Sequence, residues 1–278
     1  MTADPISQPL GVLHRFGAGR ASEASGIGRR PWQGPEEAAG PARCRCCESV
    51  DADKLRTWDE AAAPYILREP EWRVWRRLPL PEARRRWMRG RVAAKDAVRL
   101  LMLDCYGLVA PLESIGVLPD DQGQPQVLCD ALPNIGARIS VSISHCGNRS
   151  VALAAERSES CRAVGIDVAS RDDDHDGLAE GGFTPSELAS LAGCPVPERA
   201  DWLLRLWCAK EAVGKALGVG LMGNPLSFIV RRVDRARGAV ELDAVGGLSS
   251  VSPPLRGSRV TARVGAGRHL TFAVATLE

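Results

Sequence analysis

No stretch of this sequence reaches the run of about 18 apolar residues that a membrane-crossing helix needs, so no membrane association is expected. The first 20 residues lack a compact apolar core behind a basic start, which argues against a secretory leader. Nine cysteines are present, but the number is odd and they are scattered over 278 residues. Without a leader, reduced thiols in a cytoplasmic protein are the expectation. Cys44, Cys46 and Cys47 come nearest to a zinc cluster, yet no second CxxC and no HxxxH follows them. Net charge is also nearly absent, at +2, and by itself names no partner.

The 45% of apolar residues suits a globular chain, and the length suits one large domain or two smaller ones. Charge is concentrated rather than abundant. Eight arginines fall between Arg73 and Arg91 with Glu82 among them, Glu71 just before and Asp96 beyond. Such a stretch calls for phosphate, on a nucleic acid or on a nucleotide cofactor. Trp72, Trp75 and Trp87 interleave loosely with the arginines, as a nucleic-acid binder would arrange them; a solvated helix face with the tryptophans turned inward uses the same pattern.

Twelve of the first 50 residues are Gly or Pro, without apolar periodicity, so residues 1–55 read as an extension that carries no core. Order is expected from Trp58. Residues 56–158 then form an N-terminal half and 159–278 a C-terminal half. Pro81 to Leu103 is rich in helix formers with proline in the opening turn, which predicts a long helix. Asp120-Asp121-Gln122-Gly123-Gln124-Pro125 is a strong turn signal. Ile139 to Ser144 alternates apolar and hydroxyl residues, a period-two strand, with a hairpin partner over Val151–Ala155 and a third strand over Ala163–Val168. Arg171 to Gly182 is acidic and reads as a solvated loop. Thr184-Pro185-Ser186-Glu187 is a helix start. A second long helix is predicted from Glu198 to Leu217, then strands near 228–233, 239–242, 260–264 and 270–275. Strands and helices mix without βαβ alternation, which predicts an α+β fold. Two comparable halves fit this pattern, although residue identity shows no internal repeat.

At about 3.6 residues per turn, Trp207, Glu211 and Lys215 stack on one helix face, with Leu206, Val213 and Leu217 on a neighbouring stripe toward the core. A Glu–Lys pair at that spacing is usually a surface pair worth about 0.3–0.5 kcal/mol. Its company argues for more. Asp167 sits in Gly165-Ile166-Asp167 among apolar neighbours, and a buried carboxylate needs a partner or a metal. Magnesium takes few carboxylates plus water and phosphate oxygens, so Asp167 and Glu211 would suit it if strand end and helix meet. His145, beside Ser144 at a strand end, is a structural hydrogen-bonder or a phosphate ligand. The run Arg171-Asp172-Asp173-Asp174-His175-Asp176 lacks the spacing of a calcium loop.

Taken in order, Ser142-Ile143-Ser144-His145, Gly165-Ile166-Asp167-Val168-Ala169 and Trp207-Cys208-Ala209-Lys210-Glu211-Ala212-Val213-Gly214-Lys215 resemble the 4′-phosphopantetheinyl transferase superfamily. Within it they resemble the surfactin-synthetase-activating type, over roughly residues 60–278. The motifs are separated by about 20 and about 44 residues, as in that family, and Gly90 to Arg99 also resembles bacterial members. The resemblance implies a pseudo-twofold pair of α+β halves with coenzyme A between them. It implies Mg²⁺, with Mn²⁺ as a substitute, on Asp167 and Glu211. Lys215 would neutralise the coenzyme A diphosphate with Lys210 close by. His145 and Ser144 would contact the 3′-phosphate, with Arg86, Arg91 and Lys95 completing that pocket. The implied reaction moves phosphopantetheine onto a serine of an apo acyl or peptidyl carrier protein, with Asp167, Glu211 and Lys215 as the catalytic set. The implied protein is a monomer, without nucleic acid.

Two positions depart from the pattern. Ala169 stands where a second acid is common, and Gln124 stands where relatives carry lysine between Gly and Pro. A non-catalytic relative that binds coenzyme A or a carrier protein is the alternative these departures raise.

Overall fold

In the computed structural model, residues 27–31, 43–51, 58–129, 134–221, 224–245 and 259–277 are described. Strands β1 (Ile27–Pro31) and β2 (Cys44–Asp51) precede helices α1 (Trp58–Ile66), α2 (Glu69–Arg77) and α3 (Pro81–Tyr106). Then come β3 (Ile115–Pro119), β4 (Pro125–Cys129), α4 (Ile135–Arg138), β5 (Ile139–Cys146) and β6 (Arg149–Glu156). The second half runs β7 (Ala163–Ser170), α5 (Leu178–Gly182), α6 (Pro185–Ser190), α7 (Val196–Ala216), β8 (Phe228–Asp234), β9 (Ala239–Ala244), β10 (Arg259–Ala266) and β11 (Leu270–Leu277). The fold is α+β, as the mixed pattern predicts.

One expectation fails at the start. The core of the N-terminal half begins at β2, inside the segment read as a coreless extension. β2 is hydrogen-bonded between β1 and β6. Cys47 turns onto α3 in one core, while Cys44 and Cys46 face the opposite side of the sheet. The strand was hidden because its apolar positions are cysteines set between arginine and glutamate. Residues 1–26, 32–42 and 52–57 lie outside the described residues.

The predicted helices are both present. α3 opens with Pro81 and closes on Gly107, whose φ of 64° is the left-handed conformation that ends helices without a Cβ penalty. Thr184 caps α6, accepting from the Glu187 amide while Glu187 accepts from the Thr184 amide. Leu206 and Val213 of α7 are buried as the stripe requires. Trp75 is buried and Trp72 packs beside it, so those rings turn inward. The Arg73 to Arg91 run disperses into local pairs such as Arg73–Glu69 and Arg85–Glu82.

The same order of elements runs twice, which residue identity conceals. With β1 and the short α4 of the first half set aside, a strand leads, short helices follow, then a long helix, a 3-10 turn and four strands. In the first half β1-β2-β6-β5 form one sheet and β3-β4 a separate ribbon; in the second, β7-β11-β10-β9-β8 form a single sheet. α3 packs on β2, β5 and β6, and α7 on β7, β10 and β11. One buried ion pair recurs with its whole environment. Lys95 pairs with Glu71 at 2.6 Å, and Lys210 with Glu187 at 2.9 Å. Each lysine also donates to two carbonyls, of Ile66 and Leu112 in one half and of Gly182 and Pro225 in the other. Each glutamate accepts from the amide of a strand residue, Val117 or Val230.

The halves meet along β5 and β7. Ser140, Ser142 and Ser144 accept from the amides of Val164, Ile166 and Val168 at 3.1, 3.0 and 3.2 Å. The hydroxyls of the alternating strand therefore replace a backbone ladder and join one sheet to the other. The constant offset of 24 residues fixes the register that brings Ser144 onto Asp167.

Candidate active site

Asp167 lies near the end of β7 and is 7% exposed. Two groups hold its Oδ1: the Ser144 hydroxyl donates at 2.8 Å and Lys215 Nζ at 2.8 Å. Lys215 also donates to the Ile166 carbonyl, so the ammonium is anchored on β7 as well as charged against Asp167. Close packing of β7 on α7 makes this meeting possible. Gly165 lies against the helix backbone so tightly that a Cβ there would stand 1.8 Å from the Ala212 carbonyl oxygen. Glu211, one turn before Lys215, joins the same group. Burial and then the charge of Asp167 raise its pKa, with Lys215 opposing them. Trp207 leaves the group and packs against Gly182.

The cationic side of the site comes from α3 and β5. His145 is part-buried, with Nδ1 2.7 Å from the Ser150 hydroxyl, and its ring rests over Gly90. Burial, then the charges of Arg86, Lys215, Arg89 and Arg91, hold its pKa down at about 3. Four cations thus converge on one neutral imidazole, an arrangement that suits an anion. Arg91 is 8% exposed and stacks 4.2 Å over Trp87. Its Nε has no hydrogen-bond partner among the described residues, and burial lowers its pKa to about 10. Arg86 is exposed. A cleft of about 380 Å³ runs between the halves, and Arg91, Gln124, His145, Lys215, Gly218 and Val219 are among the residues that line it. Gln124, in the turn before β4, lies against Gly218, where a Cβ would be 1.8 Å from its amide nitrogen.

Three expected cofactor ligands are placed elsewhere. Lys95 and Lys210 are fully buried in the paired clamps, their ammonium groups engaged by a carboxylate and two carbonyls. Neither lines the cleft. Helical periodicity put Lys210 beside Glu211 in sequence, but the two residues point to different faces. Ser144, 3% exposed, spends its proton on Asp167 and accepts from Val168, so it positions the carboxylate rather than meeting a phosphate. Sequence reasoning missed Arg89, Ser150 and the serine ladder. Arg89 lay within the basic run and one turn from Arg86, which was the only available signal.

Among the described residues no group of three His, Cys, Asp and Glu could hold a metal. Two carboxylates remain, Asp167 and Glu211, with Ala169 at the third place. Burial and then the charge of Asp167 raise the cost of ionising Glu211; two such oxygen donors fit a hard divalent cation, which offsets that cost and takes its other ligands from water and phosphate. Cys44, Cys46 and Cys47 form no disulfide among the described residues and are split between the two faces of β2. His175 bonds the Ser170 carbonyl and His269 bonds Asp172, so the acidic loop ties onto the β10–β11 turn.

Comparison with known proteins bears on the second half of the chain. Residues 163–254 match the family model of the 4′-phosphopantetheinyl transferase superfamily. The superfamily expected from the three motifs is therefore borne out, over the half that carries Asp167, Glu211 and Lys215. A 4′-phosphopantetheinyl transferase of Bacillus subtilis is 29% identical over 145 residues. That alignment takes in 52% of this chain and 59% of the relative's length. Among the described residues no helix is long and apolar enough to cross a membrane.

Proposed function

We propose that this chain transfers 4′-phosphopantetheine from coenzyme A to a serine of an apo acyl or peptidyl carrier protein, releasing 3′,5′-ADP. The observation that carries the reading is the meeting of Asp167, Glu211 and Lys215, of which Lys215 also lines the cleft that holds Arg91 and His145. Carboxylates for a cation and fixed cations for phosphates are what a diphosphate donor needs.

Asp167 and Glu211 would hold Mg²⁺ or Mn²⁺, which when bound supplies charge neutralisation at the diphosphate. Ser144 and Lys215 keep the Asp167 carboxylate in one orientation, so the site is formed before substrate arrives. Lys215 faces the charge that develops on the diphosphate oxygens. Arg91, with an unused Nε–H, and Arg86 would take the remaining phosphate, and His145 as a neutral ring can donate one N–H to it. In the transfer, the serine oxygen forms a bond to phosphorus as the bond from phosphorus to the bridging oxygen breaks. The serine proton passes to Glu211 as general base, directly or through a water.

Intact-mass measurement of apo carrier proteins incubated with this protein, coenzyme A and Mg²⁺ tests the reading. One carrier is expected to gain about 340 Da, and the gain should vanish with EDTA or in Asp167→Ala. A full panel without gain, with coenzyme A bound, would replace it by the non-catalytic alternative that Ala169 and Gln124 raise.

A further inference from the structure

The sheet of the second half contains a polar group that the reaction above leaves idle. Thr271 on β11 is 0% exposed, and its hydroxyl oxygen has no hydrogen-bond partner among the described residues. A buried hydroxyl left in that state costs about 1–3 kcal/mol, which asks for a ligand or an ordered water. Its place is specific. In the antiparallel pairing of β7 with β11, Asp167 stands opposite Ala273 and Ala169 stands opposite Thr271. Directly opposed residues share a sheet face, so Asp167, Ala169 and Thr271 all lie on the face covered by α7. Ala169 and Ala273 pack into the core that α7 closes, which confirms the assignment of that face.

Thr271 is thus the direct neighbour of the position where an acid is missing. Its Cβ is the diagonal neighbour of Asp167, a separation of about 7–8 Å in such sheets, which one water spans and a direct bond does not. Cys208 of α7 bridges the same interval. Its thiol is 4.0 Å from the Thr271 carbonyl oxygen.

We propose that Thr271 is a positioning residue for the metal site, its hydroxyl holding one water of the cation's shell in the place an acid at 169 would fill. The proposal rests on Asp167 and Glu211 being the metal-binding pair. It explains why a hydroxyl is tolerated in an otherwise alanine-lined strand, and how two carboxylates suffice.

The test is Mn²⁺ binding to the full chain, read from loss of the free-ion paramagnetic resonance signal, without carrier or coenzyme A. Thr271→Val should weaken Mn²⁺ binding about tenfold, as outer-shell partners do, while the metal-free unfolding midpoint stays level or rises. Thr271→Ser should keep wild-type affinity. Ala169→Asp added to Thr271→Val should restore it. Asp167→Asn serves as the reference and should abolish binding. Wild-type affinity in Thr271→Val, with Asp167→Asn silent, would overturn the role of Thr271 alone. Unchanged binding in Asp167→Asn would overturn the metal pair itself. Should Thr271→Val not fold, Thr271→Ala is read by the same signal.

Discussion

Lys210 Nζ lies 2.9 Å from Glu187 Oε1, and neither side chain meets solvent. The lysine next to Glu211 is therefore a structural clamp joining α7 to α6 and to the turn before β8. Removing one partner leaves a buried charge uncompensated. Lys210→Met should cost about 3–5 kcal/mol in urea unfolding, and Lys95→Met a similar amount in the other half. A Lys210→Met protein of normal stability but raised KM for coenzyme A would restore the phosphate-ligand role.

Glu211 is held above its ordinary pKa of 4.5, by burial first and Asp167 second. Folded protein therefore binds the proton more tightly than unfolded chain, and metal-free stability falls as pH rises from 4.5 through the folded value. Glu211→Gln removes that loss. It should be more stable than wild type at pH 7 without metal and equal to it near pH 4, yet inactive in transfer. Urea midpoints at both pH values, with the mass assay, check the pair of outcomes.

His145 has the opposite sign. Its ring titrates near 6.5 when unfolded and near about 3 when folded. Between those values the unfolded chain binds more protons. The contribution is complete above pH 6.5 and is lost as pH falls toward 3, at about 1.4 kcal/mol per unit. The ring proton signal should not move between pH 8 and 5 in free protein. Adding 3′,5′-ADP should raise the titration, because a bound phosphate cancels the four cations that depress it. A free-protein midpoint near 6.5 would contradict this geometry.

Two glycines should separate site from scaffold. At Gly90 a Cβ would meet the His145 ring at 2.7 Å, and a ring can move. Gly90→Ala should fold, with helix propensity returning up to about 1 kcal/mol, and bind coenzyme A about tenfold more weakly by calorimetry. At Gly165 the obstacle is backbone, the Ala212 carbonyl. Gly165→Ala should lose more than about 4 kcal/mol and separate Asp167 from Glu211. Equal behaviour of the two variants would show that β7 and α7 do not pack as described.

Local chemistry was legible in the sequence because it is periodic. Proline and the Thr184 cap marked helix starts, period-two runs marked β5 and β7, and the i, i+4 spacing of Glu211 and Lys215 put them on one face. What lies between elements was not legible. The serines of β5 showed only as an alternation, with Ser144 expected on a phosphate, until the register set each one against an amide of β7. Lys95 and Lys210 looked available to phosphate, as any lysine in a helical motif does, until burial placed each on a glutamate over 20 residues away. Sequence alone determined which side chains repeat along each strand and helix. Only the tertiary structure decided which of them meet across elements, because burial and pairing depend on the neighbour that packing supplies.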